Sequence, residues 1–244
     1  MDVQDAVASP TGRARVTAAA IVAGGFARRL GGVDKGGLLG GGRTILERQL
    51  AVLAPRFSRV LFICGPEGPE GPEGPERPEG PEAAVGAQTI PPSVTRVRDR
   101  GPAGRGPLAG IDAALAALLP HEEAVVCVAG DMPLLQPALL ELLRDHLPQV
   151  AALVPRVGPS QRPEPLFARY QRACAPAITA ALRAGAFKAS SLLQQLPVAW
   201  LEESVLRAVD PQLLSLENVN TPADLARLQG IAGMAGRADS LIDS

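Results

Sequence analysis

The sequence Thr17-Ala-Ala-Ala-Ile-Val-Ala23 is apolar throughout and ends at a Gly-Gly pair. It is too short for a buried helix, so it predicts a strand that is covered on both faces of a sheet. The stretch 60–64 (Val-Leu-Phe-Ile-Cys) has the same character. Between the two, Thr44 and Glu47 match a capping box, which predicts a helix that begins after Thr44. The order strand, helix, strand is the repeating unit of an α/β fold.

The same alternation continues along the chain. It predicts an α/β fold built as a three-layer, doubly wound, mostly parallel sheet with helices on both faces. The further predicted strands are 94–98, 124–129, 150–155 and 163–168. The further predicted helices are 108–118, 139–147, 171–184 and one that begins at Thr221.

An acidic insert interrupts this pattern after the second strand. Residues 65–82 are five Gly-Pro-Glu triplets and one Arg-Pro-Glu triplet. Six triplets with a broken glycine register cannot form a collagen helix, so we expect a solvated, disordered surface loop. The sequence therefore predicts one domain over 17–229, which contains this insert, between a flexible N-terminal extension (1–16) and a flexible C-terminal tail (230–244).

The composition excludes several classes of protein. The 24 Lys and Arg against 25 Asp and Glu give no basic field for nucleic acid. No apolar run approaches the roughly 20 residues that cross a bilayer, which argues against a membrane protein. Cys64, Cys127 and Cys174 form no CxxC pair, so we expect neither disulfides nor a thiolate zinc site, and a reducing, cytoplasmic location. His121 and His146 are too few for a multi-histidine metal site.

The segment after the first strand, Gly24-Gly-Phe-Ala-Arg-Arg-Leu-Gly-Gly-Val-Asp-Lys35, has the character of a phosphate-binding loop. Its glycines allow backbone amides to approach a polyphosphate closely, and Arg29 and Lys35 can neutralise the phosphate charge. It is not a Walker A loop, because no Gly-Lys-Ser/Thr follows. It also lacks the glycine spacing of GxGxxG.

Two carboxylates stand where predicted strands end. Asp99 follows the strand 94–98, and at such an edge it can accept hydrogen bonds from a base or a ribose. Gly106 and Pro107 then begin a helix near the expected ligand. Asp131 comes directly after the strand 124–129 and its Gly, where a carboxylate suits Mg²⁺. Either residue could instead be a simple turn former.

These motifs together resemble one protein family. The pattern Ala-Gly-Gly-x3-Arg-x-Gly-Gly-x-Asp-Lys at 23–35 is similar to the signature loop of molybdenum cofactor guanylyltransferases, the bacterial MobA proteins. These are Rossmann-like nucleotidyltransferases. Asp-x6-Gly-Pro-Leu-Ala-Gly at 99–110 and Gly-Asp-Met-Pro at 130–133 resemble the family's next two elements. The resemblance covers roughly 17–229.

The resemblance implies a role for each matching residue. Arg29, Lys35 and Asp131 are implied to be catalytic. Asp131 is also implied to hold Mg²⁺. GTP binding is implied for Val22, Ala23, Gly24, Gly25, Lys35, Asp99, Gly106 and Asp131. The segments 162–168 and 217–225 resemble the pterin side of the family's site, which points to Pro165, Asn218 and Asn220. Taken by themselves, the two asparagines could simply shape the turn before Thr221.

The implied activity is transfer of GMP from GTP to molybdopterin, or to its molybdenum-loaded form, with release of pyrophosphate. Molybdoenzymes or their chaperones are the implied recipients of the product. Ile63 departs from the family, which often has an asparagine there for guanine contact. The resemblance therefore determines the choice of purine base less firmly than it determines the transfer reaction. The alternatives are a transferase that uses CTP on a pterin or another nucleotide on a sugar phosphate, and a non-enzymatic nucleotide-binding chaperone of a molybdoenzyme.

Overall fold

The structure is a computed structural model that describes residues 16–23, 43–64, 90–99, 106–189, 193, 196–221 and 223–230. The insert 65–82 lies outside these residues, and so do almost all of the predicted N-terminal extension and C-terminal tail. Their flexibility, and the single-domain boundary at 17–229, therefore stay predictions.

Among the described residues, eight strands form one mixed sheet. In chain order they are β1 Thr17–Val22, β2 Val60–Cys64, β3 Thr95–Arg98, β4 Ala124–Ala129, β5 Ala152–Val157, β6 Arg162–Pro163, β7 Phe167–Gln171 and β8 Val198–Glu202. Strands β3, β2, β1 and β4 are neighbours in that order and all parallel. Strand β7 lies antiparallel between β4 and β5, and β8 runs parallel to β5. The predicted mostly parallel sheet is confirmed.

Helices cover both faces of the sheet. They are α1 Ile45–Leu53, α2 Gly106–Ala116, α3 Pro137–Asp145, α4 Ala175–Arg183 and α5 Glu203–Val209, with two 3-10 turns, Arg172–Cys174 and Leu214–Leu216, and a last helix at 223–230. The capping box predicted for α1 is present: the Glu47 amide donates to Oγ1 of Thr44 at 3.1 Å, and the Thr44 amide donates to Oε2 of Glu47 at 2.7 Å.

The core has two layers because successive residues of a strand point to opposite faces. In β1, Ala18, Ala20 and Val22 pack on the side of α2 and α4. Ala19 and Ile21 pack on the side of α1, α3 and α5. This is the three-layer, doubly wound arrangement that the apolar runs predict, and both faces of the central strands are buried.

The single strand predicted at 163–168 is wrong. The chain forms β6 and β7 instead, and residues 164–166 bulge out between them. Both short strands pair with β5. Prolines at 163 and 165 have no N–H to donate to a continuous ladder. Inside the bulge the Glu164 amide donates to the Pro155 carbonyl at 2.9 Å, and the Phe167 amide donates to Glu164 at 3.0 Å.

Strand β8 and helix α5 were not predicted. Strand β8 pairs in parallel with the outer side of β5. The register runs from Ala152 opposite Val198 to Arg156 opposite Glu202. Arg156 joins the two strands by an ion pair with Glu202, and its guanidinium lies 5.7 Å from the centre of the Trp200 ring. In the part of the chain that the structure describes, no helix is long and apolar enough to cross a bilayer. All three cysteines are free.

A buried carboxylate, Glu122, links segments at the edge of the sheet where the parallel strands begin. Glu122 is 1% exposed and forms an ion pair with Arg59 at 2.7 Å. It also accepts hydrogen bonds from the Ser58 hydroxyl and the Leu119 amide. Burial raises the pKa of Glu122, but these donors outweigh burial and leave the pKa below its ordinary value. This network lies at the edge opposite to the carboxyl ends of the parallel strands.

We expect the stability that Glu122 contributes to depend on pH. Its pKa is lower in the folded than in the unfolded chain, so the contribution is present above the ordinary value of 4.5 and is lost as pH falls through the folded pKa. Urea unfolding from pH 7 to pH 3 should show Glu122→Gln less stable than wild type at pH 7, with the difference narrowing below pH 4.5. The control Glu141→Gln removes a partly exposed ion pair with Arg56 and should change stability by less than about 1 kcal/mol throughout. A constant gap for Glu122→Gln would contradict the prediction.

Candidate active site

The carboxyl ends of β1 and β4 form the centre of the candidate site. Helix α1 leads from β1 to β2 on one face, and α2 leads to β4 on the other, so the chain order reverses between β1 and β4. Ligands of open α/β sheets bind at this point. The Gly130 amide donates to the Val22 carbonyl at 3.0 Å, and a Cβ on Gly130 would lie 3.2 Å from Cα of Ala23. A glycine therefore lets the turn that carries Asp131 lie directly against the end of β1.

Asp99 lies at the same edge, two strands beyond β1. Its amide donates to the Cys64 carbonyl at 3.0 Å, which continues the pairing of β3 with β2 past the last strand residue. Asp99 and Asp131 are both half-buried. Three strand spacings of about 4.8 Å separate β3 from β4, so the two carboxylates stand at the ends of a crevice about 14 Å wide. A nucleotide can span such a crevice with its base and its phosphates at opposite ends.

Ile63 takes no part in this crevice. Its side chain is 1% exposed and belongs to the core beneath α2, while its carbonyl accepts the Ala23 amide at 3.0 Å. Ile63, where the family often has an asparagine, is therefore a packing residue. Base recognition has to come from other groups.

Helix α2 begins beside the crevice. Gly106 has φ +66°, a conformation that favours glycine, and a Cβ there would lie 3.1 Å from the Phe187 carbonyl. One turn later, a Cβ on Gly110 would collide with Cγ1 of Val22. Gly110 lets the start of α2 lie against the end of β1, whereas Gly106 makes room for the Phe187 carbonyl. Gly106, exposed at the helix start, lies at the edge predicted to bind nucleotide.

The segment 218–220 closes the other side of Asp131. The Val219 amide donates to the Asp131 carbonyl at 2.9 Å. Asn218 is half-buried, and its buried Oδ1 has no hydrogen-bond partner among the described residues. Asn220 is exposed, and its amide donates to Asp224 at 3.1 Å as part of the cap of the last helix. This bond uses the main chain of Asn220, so the role of its side chain stays a prediction, whereas Asn218 keeps a buried acceptor beside the site.

A third apolar cluster fixes this closure. Ile45, Val219 and Leu228 are buried against one another, with Leu134 and Leu225 packed around them. The cluster joins the start of α1, the Asp131 side and the last helix. The segment 218–220 is thus held by packing as well as by its hydrogen bond.

The bulge 164–166 lies on the far side of β4. Phe167 pairs with Val128 in the antiparallel register, so the bulge lies level with the turn that carries Asp131. Tyr170 donates from its hydroxyl to the Pro165 carbonyl at 2.9 Å, which fixes the bulge. Burial raises the pKa of Glu164, although Arg162 lies 2.8 Å from its Oε1. Pro165, which the resemblance assigns to the pterin side, thus lies in this bulge.

Asp131 fits a magnesium ion through the chemistry of its donor set. Among the described residues no group of three or more His, Cys, Asp or Glu side chains is placed to hold a metal. A single carboxylate at a strand end is sufficient for Mg²⁺, which keeps several waters and takes oxygens from substrate phosphates. The remaining predicted site residues, Gly24, Gly25, Arg29 and Lys35, lie outside the described residues, so their roles stay predictions.

A family model for the MobA-like NTP transferase domain matches residues 19–200. The chain belongs to the MobA-like NTP transferase family. The match runs from β1 into β8 and so contains the edge described above, apart from the segment 218–220. The resemblance deduced from the motifs and the expectation of a nucleotidyltransferase are both confirmed.

Relatives of this MobA-like chain are similar along most of their length. A probable molybdenum cofactor guanylyltransferase of Pelotomaculum thermopropionicum is 33% identical over 213 residues, which are 87% of this chain and 91% of the relative. One from Deinococcus radiodurans is 33% identical over 216 residues, 87% of this chain and 93% of the relative.

A solved structure has the same fold. The crystal structure of molybdopterin-guanine dinucleotide biosynthesis protein A from Archaeoglobus fulgidus superposes with a TM-score of 0.66 at 28% identity. The superposition covers 89% of this chain and 99% of that one. The predicted Rossmann-like nucleotidyltransferase fold is therefore confirmed for this MobA-like protein.

The motif analysis missed one residue at this edge. Gln49 in α1 reaches the turn that carries Asp131 with its side-chain amide. A signal was present in the sequence, because Gln49 lies four residues after Ile45 and four before Leu53 and so shares their face of the helix. A polar residue on an otherwise buried helix face calls for a partner inside the fold.

Proposed function

We propose that the protein transfers GMP from GTP to molybdopterin or its molybdenum-loaded form, giving the guanine dinucleotide cofactor and pyrophosphate. Molybdoenzymes or their chaperones then receive the product. The named activity of the relatives from Pelotomaculum and Deinococcus supports this proposal. A cytoplasmic location agrees with three free cysteines.

One observation carries the proposal. The turn that bears Asp131 is held on two sides: the Gly130 amide donates to the Val22 carbonyl at the end of β1, and the Asp131 carbonyl accepts the Val219 amide. The first contact faces the predicted nucleotide side and the second faces the predicted acceptor side. A carboxylate between the two is where a phosphoryl group passing from one substrate to the other can be stabilised.

The residues have distinct roles in this proposal. Val22, Ala23 and Gly106 border the nucleotide, with Gly24 and Gly25 supplying backbone amides to its phosphates. Asp99 accepts hydrogen bonds from the base or ribose. Lys35 and Arg29 balance charge on the triphosphate and on the departing pyrophosphate. On the acceptor side, Pro165, Asn218 and Asn220 border the pterin.

The chemistry is a displacement at phosphorus. An ionised oxygen of the molybdopterin phosphate forms a bond to the α-phosphorus of GTP, and the bond from that phosphorus to the bridging oxygen of pyrophosphate breaks. The electron pair leaves with pyrophosphate. The attacking phosphate is already ionised at neutral pH, so no protein side chain has to remove a proton. The protein contributes by aligning the two substrates and by neutralising charge.

Asp131 would hold Mg²⁺ together with the triphosphate. When bound, the ion neutralises negative charge on the phosphate oxygens during transfer. Lys35 and Arg29 are expected to act on the same oxygens, so the charge balance is shared between cations of the protein and the ion.

Product analysis tests the proposal. The full chain is incubated with Mg²⁺ and molybdopterin and with GTP, CTP or UTP in turn, and pyrophosphate and the dinucleotide product are measured. We expect pyrophosphate release with GTP only when molybdopterin is present, with molybdopterin guanine dinucleotide as the product. Preference for CTP, or activity of UTP on a sugar phosphate, would replace the proposal with a related transferase. Binding of GTP without any turnover would favour a non-enzymatic chaperone.

A further inference from the structure

Gln49 is a buried amide that contacts the turn that bears Asp131. Gln49 is only 1% exposed. Nε2 donates to the Ala129 carbonyl at 2.7 Å and to the Met132 carbonyl at 3.0 Å. These two carbonyls bracket Gly130 and Asp131, so one side chain holds both ends of the turn.

Packing alone does not account for an amide at this position. The other buried residues of α1 are Ile45, Leu46 and Leu53, which suit the apolar layer around them. Oε1 of Gln49 is buried and has no hydrogen-bond partner among the described residues. An unsatisfied buried acceptor destabilises the fold, a penalty that Leu or Met would avoid. An apolar side chain cannot replace Nε2 as a hydrogen-bond donor.

Other bonds restrain the turn from different sides. Gly130 is held toward β1 through the Val22 carbonyl, and Asp131 is held toward the last helix through Val219. Inside the turn, the Met132 amide donates to Ala129 at 3.3 Å, which is a long bond. Gln49 supplies the restraint from α1. That helix begins at Ile45, and two residues separate it from the segment 24–42 that carries Arg29 and Lys35.

We propose that Gln49 is a positioning residue that fixes the main chain around Asp131 and thereby sets the affinity of the site for its divalent cation. This inference rests on the proposed function, since it takes Asp131 as the residue that binds the cation. Groups that orient a metal ligand without touching the metal change metal affinity or activity 10- to 100-fold when they are removed. Gln49 acts through the backbone rather than through the carboxylate itself.

The test measures cation binding apart from turnover. Mn²⁺ replaces Mg²⁺ as a paramagnetic probe, and free Mn²⁺ is followed by electron paramagnetic resonance with the full chain and a GTP analogue that has a methylene bridge between the α- and β-phosphates. Gln49→Met, which is similar in length and has no donor, should raise the Kd for Mn²⁺ about 10-fold. The KM for GTP should change less than about threefold, while kcat falls about 10-fold.

Thr179→Val is the matched control. It removes a side-chain hydrogen bond to Asp112 of 2.6 Å that joins α4 to α2 away from the turn. Thermal unfolding of each variant reports its loss of stability. We expect Thr179→Val to lower the Tm and leave the Kd for Mn²⁺ as in wild type. If Gln49→Met does not fold, Gln49→Asn takes its place, because it keeps an amide but is too short to reach both carbonyls.

The outcomes separate this inference from the proposed function. Wild-type affinity for Mn²⁺ in the Gln49 variant would overturn the positioning role, and so would an equal weakening in Thr179→Val. Neither result bears on the products that the wild type makes. Conversely, if the wild type binds Mn²⁺ and the GTP analogue but transfers no GMP to molybdopterin, the proposed function fails while the role of Gln49 in cation binding is still decided by the Kd values.

Discussion

Asp131→Asn is expected to lower kcat for GMP transfer about 10³-fold, which corresponds to about 4 kcal/mol of lost transition-state stabilisation. Asn has nearly the same volume as Asp, and the Asp131 carbonyl that accepts the Val219 amide belongs to the main chain. The substitution therefore keeps this main-chain bond and removes the negative charge that would hold the cation. The measurement is pyrophosphate release at saturating GTP, molybdopterin and Mg²⁺.

Asp145→Asn is the control for Asp131→Asn. Asp145 is exposed at the end of α3 and pairs with its neighbour Arg144. We expect this variant to turn over at the wild-type rate. Asp131 would lose its assigned role if Asp131→Asn kept a rate within about threefold of wild type, or if raising Mg²⁺ had the same effect on both variants.

Arg169→Met is expected to lower the free energy of unfolding by about 4 kcal/mol, since it leaves buried acceptors without their charged donor. Arg169 is 2% exposed although it belongs to β7. Its Nη1 and Nη2 donate over 2.6–3.0 Å to four carbonyls at the end of α3: Leu143, Arg144, His146 and Leu147. Met can fill the space of the aliphatic stem but can donate to none of them. Urea unfolding of both proteins at pH 7 gives the difference.

The comparison for Arg169→Met is an arginine at the surface. Arg207→Met removes an exposed pair with Glu203 one helical turn away, which should change the free energy of unfolding by less than about 1 kcal/mol. If the two variants were equally stable, the guanidinium of Arg169 would not be the group that closes the end of α3. Its loss should also speed hydrogen exchange at the amides that follow α3, before global unfolding.

The central part of the fold could be predicted because its signals are local. Strand β4 is an uninterrupted apolar run, and the chain buries it on both faces, as such runs indicate. The Thr44–Glu47 capping box placed the start of α1 correctly. Since parallel strands end at one edge, the residues directly after β3 and β4 had to face the same crevice. Asp99 and Asp131 were therefore accessible to sequence reasoning.

The parts that escaped prediction depend on contacts between distant segments. Strand β8 is short and half-exposed, and only its pairing with β5 makes it a strand. The bulge between β6 and β7 arises from prolines whose missing N–H groups matter only once β5 is their neighbour. Gln49 bonds to residues 80 and 83 positions away, so its partners could not be named from its own helix.

The order in which the chain is made has a consequence for the closure by Val219. Every strand from β1 to β4 precedes Asp131 along the chain, so a ribosome releases this side of the edge first. Val219, the partner of the Asp131 carbonyl, is translated well after β4, and Leu228, which packs against Val219, comes later still. A nascent chain that has completed β4 can thus form the edge around Asp131 before the segment that closes it at Val219 has been made.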